Sequence, residues 1–405
     1  MNDTTNRTIL ICGAGIAGMT SAYWLHRNGF EVTVVEKASA PRAGGYPIDV
    51  RGTAVEVVRR MGILPQLRER HIDTRRITFL DPEGATVAAL APHTVAGGAQ
   101  QDLELARGDL NGVVYSTIRD HTEFRFGDSI AVLHEHEHGV DVTFEGGTRR
   151  TFDIVIGADG LHSRTRRSVF GPEARFHHYL GYCFAGFTMP NTFGLRDEVA
   201  LWSSPGRGAA LYAVGDRLHA LLTCTRAEPP FDIVHDLGAQ RDLVAAVFAD
   251  AGWRVPDMLT AMRAADDLFF DVVSQIRMPR WASGRVVLVG DAASAPSFLT
   301  GQGTSLALAG AYLLADSLAA HREHTAAFAA YEQAMREFVT ANQALVGEGS
   351  AALFPATEQA LEQRNNRLRR LTTAPAATEQ PAHSALKLPA PHRVIDAART
   401  PKAAS

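Results

Sequence analysis

The run Gly13-Ala14-Gly15-Ile16-Ala17-Gly18 is a GxGxxG turn, and an acidic residue, Glu36, stands 18 positions past its last glycine. That pattern suits a phosphate-bearing dinucleotide. Gly13 permits a tight turn, Gly15 lets backbone amides approach a pyrophosphate, and Gly18 lets a helix pack close to a sheet. A helix opening there turns its free N–H groups and positive dipole end toward the phosphates. The Glu36 carboxylate can accept both ribose hydroxyls and disfavours a 2′-phosphate. Ala17 in the turn and Lys37 beside the carboxylate are counted with the same cofactor site. A glycine-rich turn alone is weak evidence, so its flanks decide. Thr8–Cys12 is β-rich, Ile16–Asn28 has a helical pattern closed by Gly29, and Glu31–Glu36 reads as a second strand. Together they predict a βαβ unit with a right-handed crossover in a parallel sheet. NAD and FAD share this fingerprint, and it does not choose between them.

Two later stretches carry the same kind of chemistry. Asp159-Gly160-Leu161-His162-Ser163-Arg164-Thr165-Arg166 follows a buried-type strand at Asp153–Gly157. Its bland reading is a turn and a helix N-cap. Arg285–Ser294 is another strand pattern ending in Gly290-Asp291, followed by Pro296, Gly301-Gln302-Gly303 and a helix. Asp291 can hydrogen-bond a polyol hydroxyl, and the glycine turn can bring backbone amides against a planar ring. The helix N-terminus behind it would stabilise negative charge developing there.

In this order and near these spacings, GxGxxG, DGxxSxxR and GDAA…P…GQG resemble the class A FAD-dependent aromatic monooxygenases. Para-hydroxybenzoate hydroxylase and the tetracycline-inactivating and polyketide-tailoring monooxygenases are relatives of that kind. The resemblance spans about residues 8 to 350. It implies that Gly13, Gly15 and Gly18 hold the FAD pyrophosphate, Glu36 the adenosine ribose and Asp291 the ribityl chain. Arg107, in LELARGDL, matches an arginine that reaches the flavin, and Asp49, in RAGGYPIDVR, a flavin-side carboxylate. Arg42 matches an arginine linked to NADPH, and Asp159-Gly160 a fingerprint serving both FAD and NAD(P)H. Gly290, Gly301, Gln302 and Gly303 complete the expected cofactor set. The chain departs from the family at Ser294, where His is frequent, and at Ser305 and Gly310, where Asn and Asp are frequent.

The implied reaction uses NADPH or NADH and O2. A flavin C4a-hydroperoxide delivers one oxygen atom to an aromatic or polycyclic, antibiotic-like molecule. No side chain is assigned as a catalytic acid or base, and no metal is expected. Expected pocket liners are Phe184, Phe187, Met189, Leu211, Tyr212, Leu221 and Phe298, any of which could equally be sheet core. The alternatives are an FAD-dependent dehydrogenase or reductase without oxygen insertion, and a ligand-sequestering flavoprotein that turns nothing over. A flavin halogenase fits poorly, because Trp24, Trp202, Trp253 and Trp281 form no WxW pair.

The elements that must position these groups predict an α/β fold, with a Rossmann-like FAD-binding domain interleaved with a mostly β substrate-binding domain. The expected FAD-binding segments are 1–75, 103–175 and 284–350, and the substrate-binding segments 76–102 and 176–283. Residues 351–405 are expected to hold a C-terminal helix and an Ala/Pro-rich coil tail. Helical patterns cover Thr53–Arg70, interrupted near Gly62 and Pro65, and Arg107–Asp120. Strand patterns cover Arg76–Leu80, Thr86–Leu90, Ser129–Leu133, Val140–Phe144, Tyr182–Thr188, Ala209–Val214 and His219–Thr223.

Composition bounds the alternatives. The 405 residues are 46% hydrophobic and 21% charged, ordinary for a soluble fold. A formal charge of −4 argues against coating nucleic acid or an anionic membrane. Three separated cysteines fit neither a disulfide framework nor zinc and point to a reducing, cytoplasmic compartment. The apolar run Gly303–Ala320 reaches membrane length but includes Thr304, Ser305, Tyr312, Asp316 and Ser317, so a buried helix is expected. A monomer or weak homodimer is expected. His134, His136 and His138 alternate on a predicted hairpin and are read as solvated, as are the basic runs Arg149-Arg150 and, with phosphate contact as an option, Arg164–Arg167.

Overall fold

The computed structural model describes residues 7–41, 45–96, 101–233, 236–347, 353–371 and 380–390. The expected Arg42 therefore lies outside the described residues, as do 391–405 of the tail.

The first sheet has six strands, in the order β17 (Ala282–Ser283), β18 (Val286–Leu288), β11 (Ile154–Gly157), β1 (Thr8–Cys12), β2 (Glu31–Glu36) and β7 (Glu123–Phe126). All neighbours run parallel except β17. β1 is apolar at successive positions because both of its faces are covered. Leu10 and Val155 pack on Val140, Val142, Phe144 and Phe152. Those residues belong to a three-stranded sheet of β8 (Ile130–His136), β9 (Gly139–Phe144) and β10 (Arg149–Phe152). Ile9 and Ile11 face the helical side.

There α1 (Ile16–Arg27) lies against α5 (Arg107–Ile118) and the long α10 (Gly303–Ala320). α10 also packs on α2 (Thr53–Arg60) and α11 (His324–Ala344). Among the described residues it is the one helix long and apolar enough to cross a membrane. Its burial in this core matches the expected interior helix. Gly62, at φ 76°, ends the helical run after α2, and α3 (Leu64–Arg68) follows.

The second sheet has seven strands: β16 (Phe269–Ile276), β12 (His177–Pro190), β15 (Arg217–Thr225), β14 (Arg207–Val214), β13 (Glu198–Ser204), β4 (Arg76–Leu80) and β5 (Thr86–Leu90). The short α4 (Pro92–Ala96) comes after β5. β4 and β5 reach this sheet from early in the chain, and β4 pairs parallel with β13. Cys183, Ala185, Phe187, Met189 and Leu211 pack on α7 (Leu237–Val247) and α8 (Val255–Ala264), through Val244, Phe248, Met258 and Met262. The alternate residues face the opposite way.

A two-stranded ribbon, β3 (Pro47–Val50) with β6 (Leu103–Ala106), stands beside the two sheets. No periodic signal marked these four-residue strands. α12 (Glu358–Leu371) covers the β4–β5 end of the second sheet through Leu368 and Leu371, which meet Phe79 and Leu90. Residues 380–390 do not dangle. The carbonyls of Leu386, Pro389 and Ala382 accept from Thr53, Tyr312 and Asn342 at 2.7, 2.9 and 3.0 Å.

Candidate cofactor and substrate site

The glycine turn is shaped by close approach. Gly13 has φ 104°, and a Cβ there would lie 2.6 Å from the Ala158 carbonyl oxygen. A Cβ on Gly18 would lie 1.9 Å from the Gly13 oxygen. Gly15 differs: a Cβ would meet nothing within 4 Å, so open space lies in front of the N-cap of α1. Glu36 accepts from the amides of Ala14 and Ala38, each at 2.9 Å, which fixes its carboxylate at the rim of the turn. Ala17 is buried below, 2.7 Å from where a Cβ on Gly290 would stand. Lys37 is exposed to solvent.

On the other side, Asp291 opens the one-turn α9 (Asp291–Ser294). Its side chain is solvent-reached although protein surrounds it, as expected of a group lining an internal cleft. Burial pushes its pKa up, while the charges of Arg107 and Arg166 pull it down. Arg107 begins α5, and Gly45, at φ 131°, passes over it, with a Cβ there only 3.1 Å from the arginine's own. Gly301 is left-handed at φ 64°, and a Cβ on it would meet Asp49 Oδ2 at 3.1 Å. Asp49 is paired with Arg51 at 3.0 Å. Gly303 lies under Asp291 and starts α10.

Two expected cofactor residues are placed differently from their sequence reading. Both oxygens of Asp159 are bonded within their own loop, to the hydroxyls of Ser163 and Thr165 and to the Thr165 amide at 2.9 Å. That carboxylate shapes the start of α6 (Arg164–Phe170), and Gly160, at φ 83° with open space around it, is the part left to approach a ligand. Gln302 is fully buried, its amide donates to the Thr300 hydroxyl at 3.2 Å and its carbonyl accepts from the Leu306 amide at 2.9 Å, so it shapes the turn from within.

Four of the expected liners share the face opposite α7 and α8. Phe184 and Leu221 cluster with Phe298, Leu299, Val273 and Phe354. The rings of Phe184 and Phe298 are 4.8 Å apart. Tyr212 shares this face further along β14, near Asp49, Arg51 and Glu104. Phe187, Met189 and Leu211 are corrected to core under α7 and α8, because strand alternation turns odd and even neighbours to opposite faces. Phe354, which the sequence reading missed, comes from a segment without periodicity.

The residues here fit FAD: an open N-cap at Gly15, a carboxylate held at the rim of the turn at Glu36, Asp291 reached by solvent among surrounding protein, and a glycine turn at Gly301. The sequence profile of the FAD binding domain family matches residues 6–346. A flavin-dependent monooxygenase from an unknown prokaryotic organism is 37% identical over 89% of this chain and 94% of its own length. This chain belongs to that family, the class A flavin-dependent monooxygenases. An uncharacterized protein of Mycobacterium tuberculosis is 40% identical, covering 88% of this chain and 97% of its own. The solved structure of the tetracycline destructase Tet(55) superposes with TM-score 0.82 at 34% identity, over 96% of this chain and 99% of that one. Bound FAD supplies the redox and oxygen chemistry of such a monooxygenase, with NAD(P)H as reductant and O2 as co-substrate.

In this monooxygenase the basic run at 164–167 is not uniformly solvated. Arg166 is fully buried and donates to the carbonyls of Ala292 and Leu161 at 3.1 and 2.6 Å, tying the Asp159 loop to the Asp291 turn. The last position of DGxxSxxR was the signal for it. His162 joins the two sheets: Nδ1 lies 2.7 Å from Glu173 and Nε2 3.0 Å from Asp271. The hydrogen bonds to Asp271 and Glu173 raise the imidazole to about 9. His134 is solvated as expected, and no described group of residues is arranged to hold a metal.

Proposed function

We propose that this monooxygenase inserts one oxygen atom into a polycyclic phenolic or enolic small molecule, with tetracycline-like compounds as the first class to test. The observation that carries the reading is the apolar, aromatic cluster of Phe184, Leu221 and Phe298, which ends three residues before Gly301 and suits contact with a flat ring system. The likeness to a tetracycline destructase supports the same class. Here the protein orients the ring system, keeps water away, and offers the N-terminus of α10, from Gly303 on, to developing negative charge. The buried free thiols Cys12, Cys183 and Cys224 support a cytoplasmic setting. The modest net charge supports an enzyme without nucleic-acid or membrane partners, acting as a monomer or weak homodimer.

The test is substrate-stimulated NADPH and NADH oxidation by FAD-loaded protein, with labelled O2 followed into product by mass spectrometry. Tetracycline and simple polycyclic phenols serve as probes. Stimulated oxidation with one labelled oxygen per product is the expected result. Anaerobic turnover would favour a dehydrogenase, and binding without stimulation a sequestering flavoprotein.

A further inference from the structure

Asp49 and Glu104 are directly opposed on the β3–β6 ribbon, so two carboxylates share one face of the ladder. Like charges so placed repel, and their surroundings divide them. Asp49 has Arg51 as counter-ion at 3.0 Å. Glu104 accepts at Oε2 from the Thr74 hydroxyl at 2.8 Å. Burial and the Asp49 charge push Glu104 up to about 7, against the pull of Thr74 and Arg51. The remaining neighbours are Asp102, which acts on Arg51, and His71, whose ring nitrogen sits 3.1 Å from the Glu104 backbone. Near both carboxylates is Tyr212 of β14, whose phenol is raised by burial and then by Glu104 and Asp49. A Cβ on Gly301 would meet Asp49 Oδ2 at 3.1 Å, and Tyr212 lies on the sheet face of Phe184 and Leu221, so this group adjoins both the cofactor turn and that face.

We propose that Glu104 is the proton acceptor for an ionisable hydroxyl of the substrate. This rests on the monooxygenase reading above and adds a catalytic side chain to it. The substrate O–H bond breaks, its proton forms a new O–H bond on the Glu104 carboxylate, and the electron pair stays on the substrate oxygen. The phenolate or enolate so formed is richer in electrons at the ring carbon that receives oxygen. Asp49, fixed by Arg51, strengthens Glu104 as a base, and matching of base to phenol is what general-base catalysis needs. Tyr212 stays protonated and can donate to the new oxyanion.

The probe is 1,8-dihydroxyanthraquinone, given to FAD-loaded protein with NADPH and O2 between pH 5 and 9. In the wild type, kcat for its oxygenation should rise through about pH 7 as Glu104 loses its proton, and level off above. Glu104→Gln should lose that rise and lower kcat at pH 8 at least tenfold with the flavin spectrum unchanged, and Glu104→Asp should restore part of both. Thr74→Val, which removes a bond that holds Glu104 ionised, should move the rise to higher pH, and it serves if Glu104→Gln does not fold. The same pH profile in wild type and the tested variant would overturn the role of Glu104 alone. Failure of the wild type to bind or oxygenate the probe would overturn both this role and the proposed substrate class.

Discussion

The Gly18 position lies so close beneath Gly13 that a Cβ there would stand 1.9 Å from its carbonyl oxygen, whereas one on Gly15 would meet nothing within 4 Å. The two glycines therefore serve different ends. Gly18→Ala should destabilise the fold itself, by about 1–3 kcal/mol for an overpacked site, and lower Tm with or without FAD. Gly15→Val should leave the apoprotein Tm near wild type but abolish flavin retention. Thermal melts and visible spectra of both variants check this, and a reversed pattern would mean that the turn has been misread.

Asp291 faces the cleft between Arg107 and Arg166. Asp291→Ala removes a charge-assisted hydrogen bond of about 1.5–3 kcal/mol, so FAD should bind roughly 10- to 150-fold more weakly. Equilibrium titration of apoprotein with FAD reads the change directly. Undiminished affinity would remove Asp291 from the cofactor site.

His162 makes stability depend on alkaline pH. Its folded-state pKa, about 9, lies above the ordinary imidazole value of 6.5, so its contribution is complete below about 6.5 and is lost as pH rises through 9. Asp271 and Glu173 hold the charge, with Arg166, Arg167 and His177 also facing the cluster. Tm of the wild type should fall between pH 6.5 and 9.5 more steeply than that of His162→Gln. Parallel curves would rule the imidazolium out as the cause.

The two faces of β12 should separate stability from binding. Phe187→Ala opens a cavity under α7 and α8 and should cost about 3–5 kcal/mol, with little change in ligand affinity per folded molecule. Phe184→Ala should weaken binding of a polycyclic ligand at least tenfold. Isothermal titration beside denaturant melts distinguishes them; equal binding losses would place both on one wall.

Much of the cofactor side was legible in the chain because its determinants are local. A glycine turn, the strand before it and the helix after it lie within 36 residues, and β1, α1 and β2 form where the pattern places them. The same holds for Asp291 and Gly301–Gly303, which sit in one strand–turn–helix segment. The liners were legible only by type: Phe184 and Phe187 are chemically alike, and three residues of separation in a strand turns them to opposite faces.

The sequence by itself therefore determined the dinucleotide chemistry, the α/β class and the family, since each rests on motifs that are complete within a short stretch of chain and keep their order. Only the tertiary structure decided that Asp49 and Glu104 confront each other, that Arg166 is buried across to Ala292, and that Phe354 joins the aromatic wall. Those meetings join segments 55 to more than 100 residues apart, and the strands of the first are too short to show a period. Charge and burial, which set what such groups do, exist only once the chain has closed around them.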